Sequence, residues 1–157
     1  MNCLVNVSEI EWDTDGEDID YLPESVDYLE VDEECDVIEA LTEKYGWCVK
    51  SCFYEKADCL YASADKEVFD LVANHLKETI CYCSADFLSA HTDLPEEIFE
   101  HLGKTGFVKP EVYLRMVKDF DDMVQDMIDI DGPGKVLNSV DGKEYVLSDG
   151  TRAYLKA

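Results

Sequence analysis

The chain has 157 residues, 46% of them hydrophobic, with 37 acidic against 13 basic residues and a formal charge of −24. That hydrophobic share can fill a core in one domain or two small ones, which excludes a wholly disordered acidic chain. No apolar run approaches the roughly 18 residues of a membrane helix, and the acidity excludes attraction to nucleic acid or to an anionic membrane.

The first stretch, NCLVNVSEIEW at residues 2–12, is rich in β-branched and aromatic residues and predicts a strand. A turn follows at DTDGED, then a short second strand at SVDYLEVD. Asp32 is the expected cap of a helix through EECDVIEALTEKY, in which Val37, Ile38, Leu41 and Tyr45 share a face and Gly46 supplies the stop. WCVKSCFYE predicts a third strand. Strand, strand, helix and strand form a first acidic α+β unit over residues 1–62.

Residues 63–157 are read as a helical region ending in strands. A helix capped by Asp65 and running to about Cys83 places Val68, Phe69, Val72, Leu76 and Ile80 on one stripe. Shorter helices are predicted at SADFLSAH and from Pro95 to Gly103, and a single long one at PEVYLRMVKDFDDMVQDMIDI. In KVLNSVDGKEYVLSDGTRAYLK, two Asp-Gly pairs separate three runs of β character, which predicts a three-strand antiparallel meander. The expected fold class is α+β, with the two regions able to share one core.

Charge is unevenly spread. Residues 1–43 hold sixteen acids and no Lys or Arg; the first base is Lys44. Adaptation to high salt would distribute acids over the whole surface, whereas a partner with a basic face accounts for clustering. The densest segment, EWDTDGEDIDYLPE, has seven carboxylates in fourteen positions. A calcium loop of the EF-hand type needs acids at its first, third, fifth and twelfth positions and Gly at the sixth. Starting at Asp13 misplaces Gly16, and starting at Glu11 puts Leu22 at the twelfth position.

Mimicry of a polyanion fits better. Glu9, Glu11, Asp13, Asp15 and Glu17 alternate with Ile10 and Trp12, so a persisting strand would carry an acidic ladder on one face. Same-face residues lie about 6.8 Å apart, against roughly 3.4 Å between phosphates along one DNA strand, so neighbouring elements must supply further charge. Asp119, Asp122, Asp126 and Asp129 form a second stripe on the predicted long helix. Like charges at that spacing cost a helix about 0.2–0.5 kcal/mol per pair, a cost that ordinary solubility does not require. The competing reading for either array is a plain solvated surface.

Other chemistry finds little support. His75, His91 and His101 are the only histidines, and no phosphate loop, G-x-S-x-G elbow or H-E-x-x-H is present. The chain is expected not to be an enzyme and to need no cofactor. Seven cysteines with no secretion leader read as free thiols. The C-x-x-x-C of Cys48 and Cys52 and the C-x-C of Cys81 and Cys83 fit zinc spacing poorly, so no metal is expected. The expected location is the cytoplasm of the cell in which the chain is made.

In size, extreme acidity and Asp/Glu ladders, the chain resembles the acidic anti-defence proteins of phages and mobile elements, namely anti-restriction DNA mimics and anti-CRISPR inhibitors. Separately, EWDTDGEDID…LP with ALTEKYGWCVKSCF is similar to small proteins of Firmicute phages and plasmids, over roughly the first 55 residues. The first resemblance implies a stoichiometric inhibitor whose Glu9, Glu11, Asp13, Asp15, Glu17, Asp18 and Asp20 face the basic groove of a CRISPR effector or restriction nuclease. The alternative is an acidic adaptor or immunity-type module that docks a basic protein without imitating nucleic acid, anchored by Trp12, Tyr21, Tyr28, Trp47 and Tyr54, although the two tryptophans are read rather as core residues.

Overall fold

A computed structural model describes residues 1–32, 36–106 and 108–157. The chain forms two compact units, Met1–Ser63 with Tyr145–Ala157, and Ala64–Glu144. The architecture is α+β, as the sequence predicts.

The first unit starts with β1 (Asn2–Asp13), β2 (Val26–Asp32), α1 (Val37–Tyr45) and β3 (Cys48–Lys56). β1 is central in a three-stranded sheet ordered β2-β1-β3, both pairings antiparallel. Cys3, Val5, Val7 and Ile10 of β1 pack with Val37 and Leu41 of α1, and Trp12 meets Tyr45 edge-on at 5.4 Å. Asp32 is not the helix cap expected of it. It is the last residue of β2, and Asp36 caps α1 by accepting from the Ile38 N–H at 3.0 Å. The proposed helical start at residues 33–35 lies outside the described residues.

A bulge sets the phase of β1. Cys3, Val5 and Val7 are odd-numbered and buried, yet so is even-numbered Ile10. Ser8 pairs with Phe53 and Glu11 with Ser51, so Glu9 and Ile10 together oppose the single residue between them on β3. Glu9, the first of the two, takes the left-handed angle φ 51, as the first residue of a G1-type bulge does. Without it, Ile10 and Trp12 would point away from α1.

The second sheet of this unit is the three-strand antiparallel one, ordered β4-β6-β5, from β4 (Cys59–Ala62), β5 (Tyr145–Val146) and β6 (Arg152–Leu155). Asp149-Gly150 makes the expected tight turn between β5 and β6, with Gly150 at φ 86. The third strand is β4, not the KVLN run, because Cys59–Ala62 pairs with Arg152–Leu155 across the whole length of β6. That pairing returns Tyr145–Ala157 to the first unit, whereas the sequence grouped it with the helices. Leu4 packs against Ala57, Leu147, Ala153 and Leu155, so both faces of β1 are buried near its start.

The second unit is helical: α2 (Asp65–Thr79) with a 3-10 turn at Ile80–Tyr82, α3 (Ala85–Ala90), α4 (Glu96–Lys104), α5 (Pro110–Met116), α6 (Phe120–Asp131) and α7 (Pro133–Leu137). Val68, Val72 and Leu76 are buried along α2, and Ile80 in the 3-10 turn that follows, at the predicted spacing, whereas Phe69 of the predicted stripe is half-buried. Each such side chain removed from water contributes roughly 1.5–3 kcal/mol. α7 occupies the segment predicted as a first meander strand. Pro133 opens it, and buried Asn138 closes it by accepting from the Val140 and Asp141 N–H groups and donating to Lys143 O.

The single long helix expected from Pro110 is two helices. Val117 is extended and bridges to Thr92, the Lys118 N–H donates to His91 O at 3.0 Å, and Lys118 Nζ lies 2.8 Å from Asp93. Asp119 then restarts the helix as an N-cap, accepting from the Asp122 N–H at 3.1 Å.

Candidate partner-binding surface

Glu9, Glu11, Asp13, Asp15, Glu17, Asp18 and Asp20 are all exposed. Among the described residues none of them pairs with a Lys or Arg. The expected five-rung ladder is shorter than the alternation suggested, since β1 ends at Asp13. Glu11 and Asp13 occupy the face opposite Ile10 and Trp12, and Ser51 Oγ donates to Glu11 at 3.3 Å from the neighbouring strand. Glu9 sits in the bulge, where strand alternation does not set its direction.

Asp15 and Glu17 belong to a tight turn. The Glu17 N–H donates to Thr14 O at 2.9 Å, with Asp15 at φ 52 and Gly16 at φ 83. Two successive left-handed residues suit Asp-Gly, which tolerates those angles. Strand geometry therefore gives way to turn geometry, and the remaining acids lie on the loop over residues 14–25.

That loop is tied back at three points. The Ile10 N–H donates to Glu24 O at 3.0 Å, Trp12 Nε1 to Pro23 O at 2.8 Å, and Trp47 Nε1 to the Tyr21 hydroxyl at 2.7 Å. Both tryptophans thus hold the loop that carries the acids. The first unit as a whole has nineteen acids against five bases. A basic surface meeting this segment would find carboxylates that have no Lys or Arg ion-pair partner among the described residues.

The second array is less open to a partner. Asp122, Asp126 and Asp129 do share an exposed stripe of α6, but Asp119 lies before the helix and serves as its cap. Asp126 Oδ2 lies within hydrogen-bond distance of His91 Nε2, at 2.9 Å, and Asp129 accepts from Gln125 Nε2 at 3.0 Å. Three of the four carboxylates are already engaged within their own unit.

Cys3, Cys48, Cys52, Cys59, Cys81 and Cys83 are free. Burial raises the Cys83 thiol to about 11, which keeps it protonated and a poor nucleophile at neutral pH. Burial likewise lifts the Tyr61 hydroxyl to about 12, while that hydroxyl accepts from the Leu4 N–H at 3.0 Å. Among the described residues no three His, Cys, Asp or Glu side chains converge as a metal site would require. No helix among them is long and apolar enough to cross a membrane.

An open groove lies in the helical unit, bounded by α2, the 3-10 turn, α3, α6 and α7, and apart from Asp126 its residues are not among those the sequence points to as a site. Its signal was present in the helical periodicity: Tyr82 and Ile130 are large apolar residues outside the buried stripes, and they are 78% and 69% exposed. No protein-family model matches this chain, and neither does any curated protein or solved structure.

Proposed function

We propose that this protein is a stoichiometric inhibitor of a bacterial nucleic-acid-binding defence enzyme, a CRISPR effector or a restriction nuclease. It occupies the basic surface that would otherwise hold DNA or RNA. The observation that carries this reading is the run of exposed carboxylates from Glu9 to Asp20, without a Lys or Arg partner among the described residues, on a segment pinned by Trp12 and Trp47. A fixed array of negative charge loses little freedom when it meets a fixed array of positive charge, so affinity is not spent on ordering. A flexible acidic tail would lack that advantage. The stripe on α6 contributes less, since its carboxylates are engaged locally.

The test is a pull-down from lysates of defence-equipped bacteria, with and without competing DNA, followed by a nuclease assay on the captured enzyme. A mimic and nucleic acid exclude one another, so DNA should release the enzyme, and binding should weaken steeply as salt rises. The triple variant Glu11→Lys, Asp13→Lys, Glu17→Lys should keep its fold and lose inhibition. Capture that is indifferent to DNA, or full inhibition by the triple variant, would favour the adaptor reading.

A further inference from the structure

The groove of the helical unit has a volume of about 680 Å³ and lies entirely within residues 75–136. Its walls include Tyr82, Phe87, Met127, Ile130 and Val136. Asp86, Asp126 and Asp131 also line it, against the single ammonium of Lys135; Asp131 is held 3.2 Å from Lys135 and Asp126 2.9 Å from His91 Nε2, which leaves Asp86 as the edge carboxylate without a basic side chain in contact among the described residues. An apolar trough edged by net negative charge is complementary to an apolar surface edged by positive charge.

We infer that this groove docks an amphipathic helix of a partner protein, with Leu-like residues in the trough and Lys or Arg beside the carboxylates. Exposure decides for a helix over a small organic cation. Tyr82 and Ile130 remain largely in water at the groove. A small ligand in the trough would touch only the edges of these two side chains that line it, whereas a helix laid across the trough covers the larger, outward part of both. Cys83, protonated at neutral pH, adds to the uncharged wall. The inference does not rest on nucleic-acid mimicry, because the groove belongs to α2–α7 and its binding can be measured without any nuclease.

The test uses the full chain and a fluorescently labelled Leu/Lys peptide that forms an amphipathic helix. A second peptide has the same composition in an order that separates no apolar face. The amphipathic peptide should bind saturably at one site, with affinity lowered about tenfold or more by Ile130→Asp or Tyr82→Asp. Both positions are exposed, so the folds should survive. Because each variant adds negative charge, pure electrostatic attraction would strengthen binding instead, and the expected sign is specific to apolar contact. The triple Lys variant of the first unit should bind the peptide as the parent does. Equal binding of the two peptides, or no loss in the Asp variants, would overturn the inference. So would displacement of the peptide by phenethylamine, or a homodimer that Ile130→Asp dissolves.

Discussion

Glu9 holds the bulge of β1 in a backbone conformation that glycine tolerates and β-branched residues do not. A non-glycine residue in the left-handed region costs roughly 1–2 kcal/mol, and glycine within a strand gives back about 0.5–1 kcal/mol through the entropy of the unfolded chain. Glu9→Gly should therefore be neutral or stabilising by up to about 1 kcal/mol, and Glu9→Val should fall about 1–2 kcal/mol below it. Glu11, two residues on, is an exposed strand position with no positive φ, and it pairs with Ser51. There the order should invert, with Val above Gly by about 1 kcal/mol. The double difference between the two positions is on the order of 2–3 kcal/mol, well above the error of a urea melt. Trp12 and Trp47 both belong to the first unit, so tryptophan fluorescence reports its unfolding separately from the helical unit. If Val is better tolerated than Gly at position 9 as well as at 11, the bulge is not where the pairing places it, and the inward packing of Ile10 and Trp12 needs another cause.

Two further predictions concern the second sheet and the helical unit. The Asn2 N–H, with further hydrogen bonds from Thr151, holds the Asp149 carboxyl at about 2 rather than 3.8. Because folding lowers this pKa, the stabilisation is present above 3.8 and is lost as pH falls through about 2. Asp149→Asn should flatten the acid loss of first-unit stability in that window, and parallel pH profiles would refute the assignment. A Cβ on Gly134 would lie 2.6 Å from Glu144 N and 2.7 Å from Lys143 C, both backbone atoms. Gly134→Ala should therefore destabilise the helical unit by about 1–3 kcal/mol despite alanine's helix preference of about 1 kcal/mol, measured by far-UV circular dichroism in urea. A gain in stability would show that the close approach can relax.

Much of the local structure was legible because periodicity is a local property. The α2 stripe of Val68, Val72, Leu76 and Ile80, the β1 and β3 runs and the Asp149-Gly150 turn each arise from neighbours within a few residues. Even the bulge has a trace in the sequence, since the apolar alternation in CLVNVSEIEW changes phase between Val7 and Ile10. The break at Val117–Asp119 was hidden because the apolar pattern continues across it. It exists because Thr92 and His91 offer backbone partners and Asp119 caps α6.

Composition and order alone determined how much charge the chain carries and that the first 43 residues hold it without a base, because ionised side chains keep their sign whatever the fold. Tertiary structure decided which of those charges share a face and which are already engaged. Direction depends on partners distant along the chain: β3 fixes the bulge at Glu9, Pro23 and Tyr21 receive the tryptophans, and His91 meets Asp126. The same dependence gave β6 its partner at Cys59–Ala62 and set Tyr82 and Ile130 at a common groove, since contacts between remote segments are chosen by packing of the whole unit and not by the local pattern of either one.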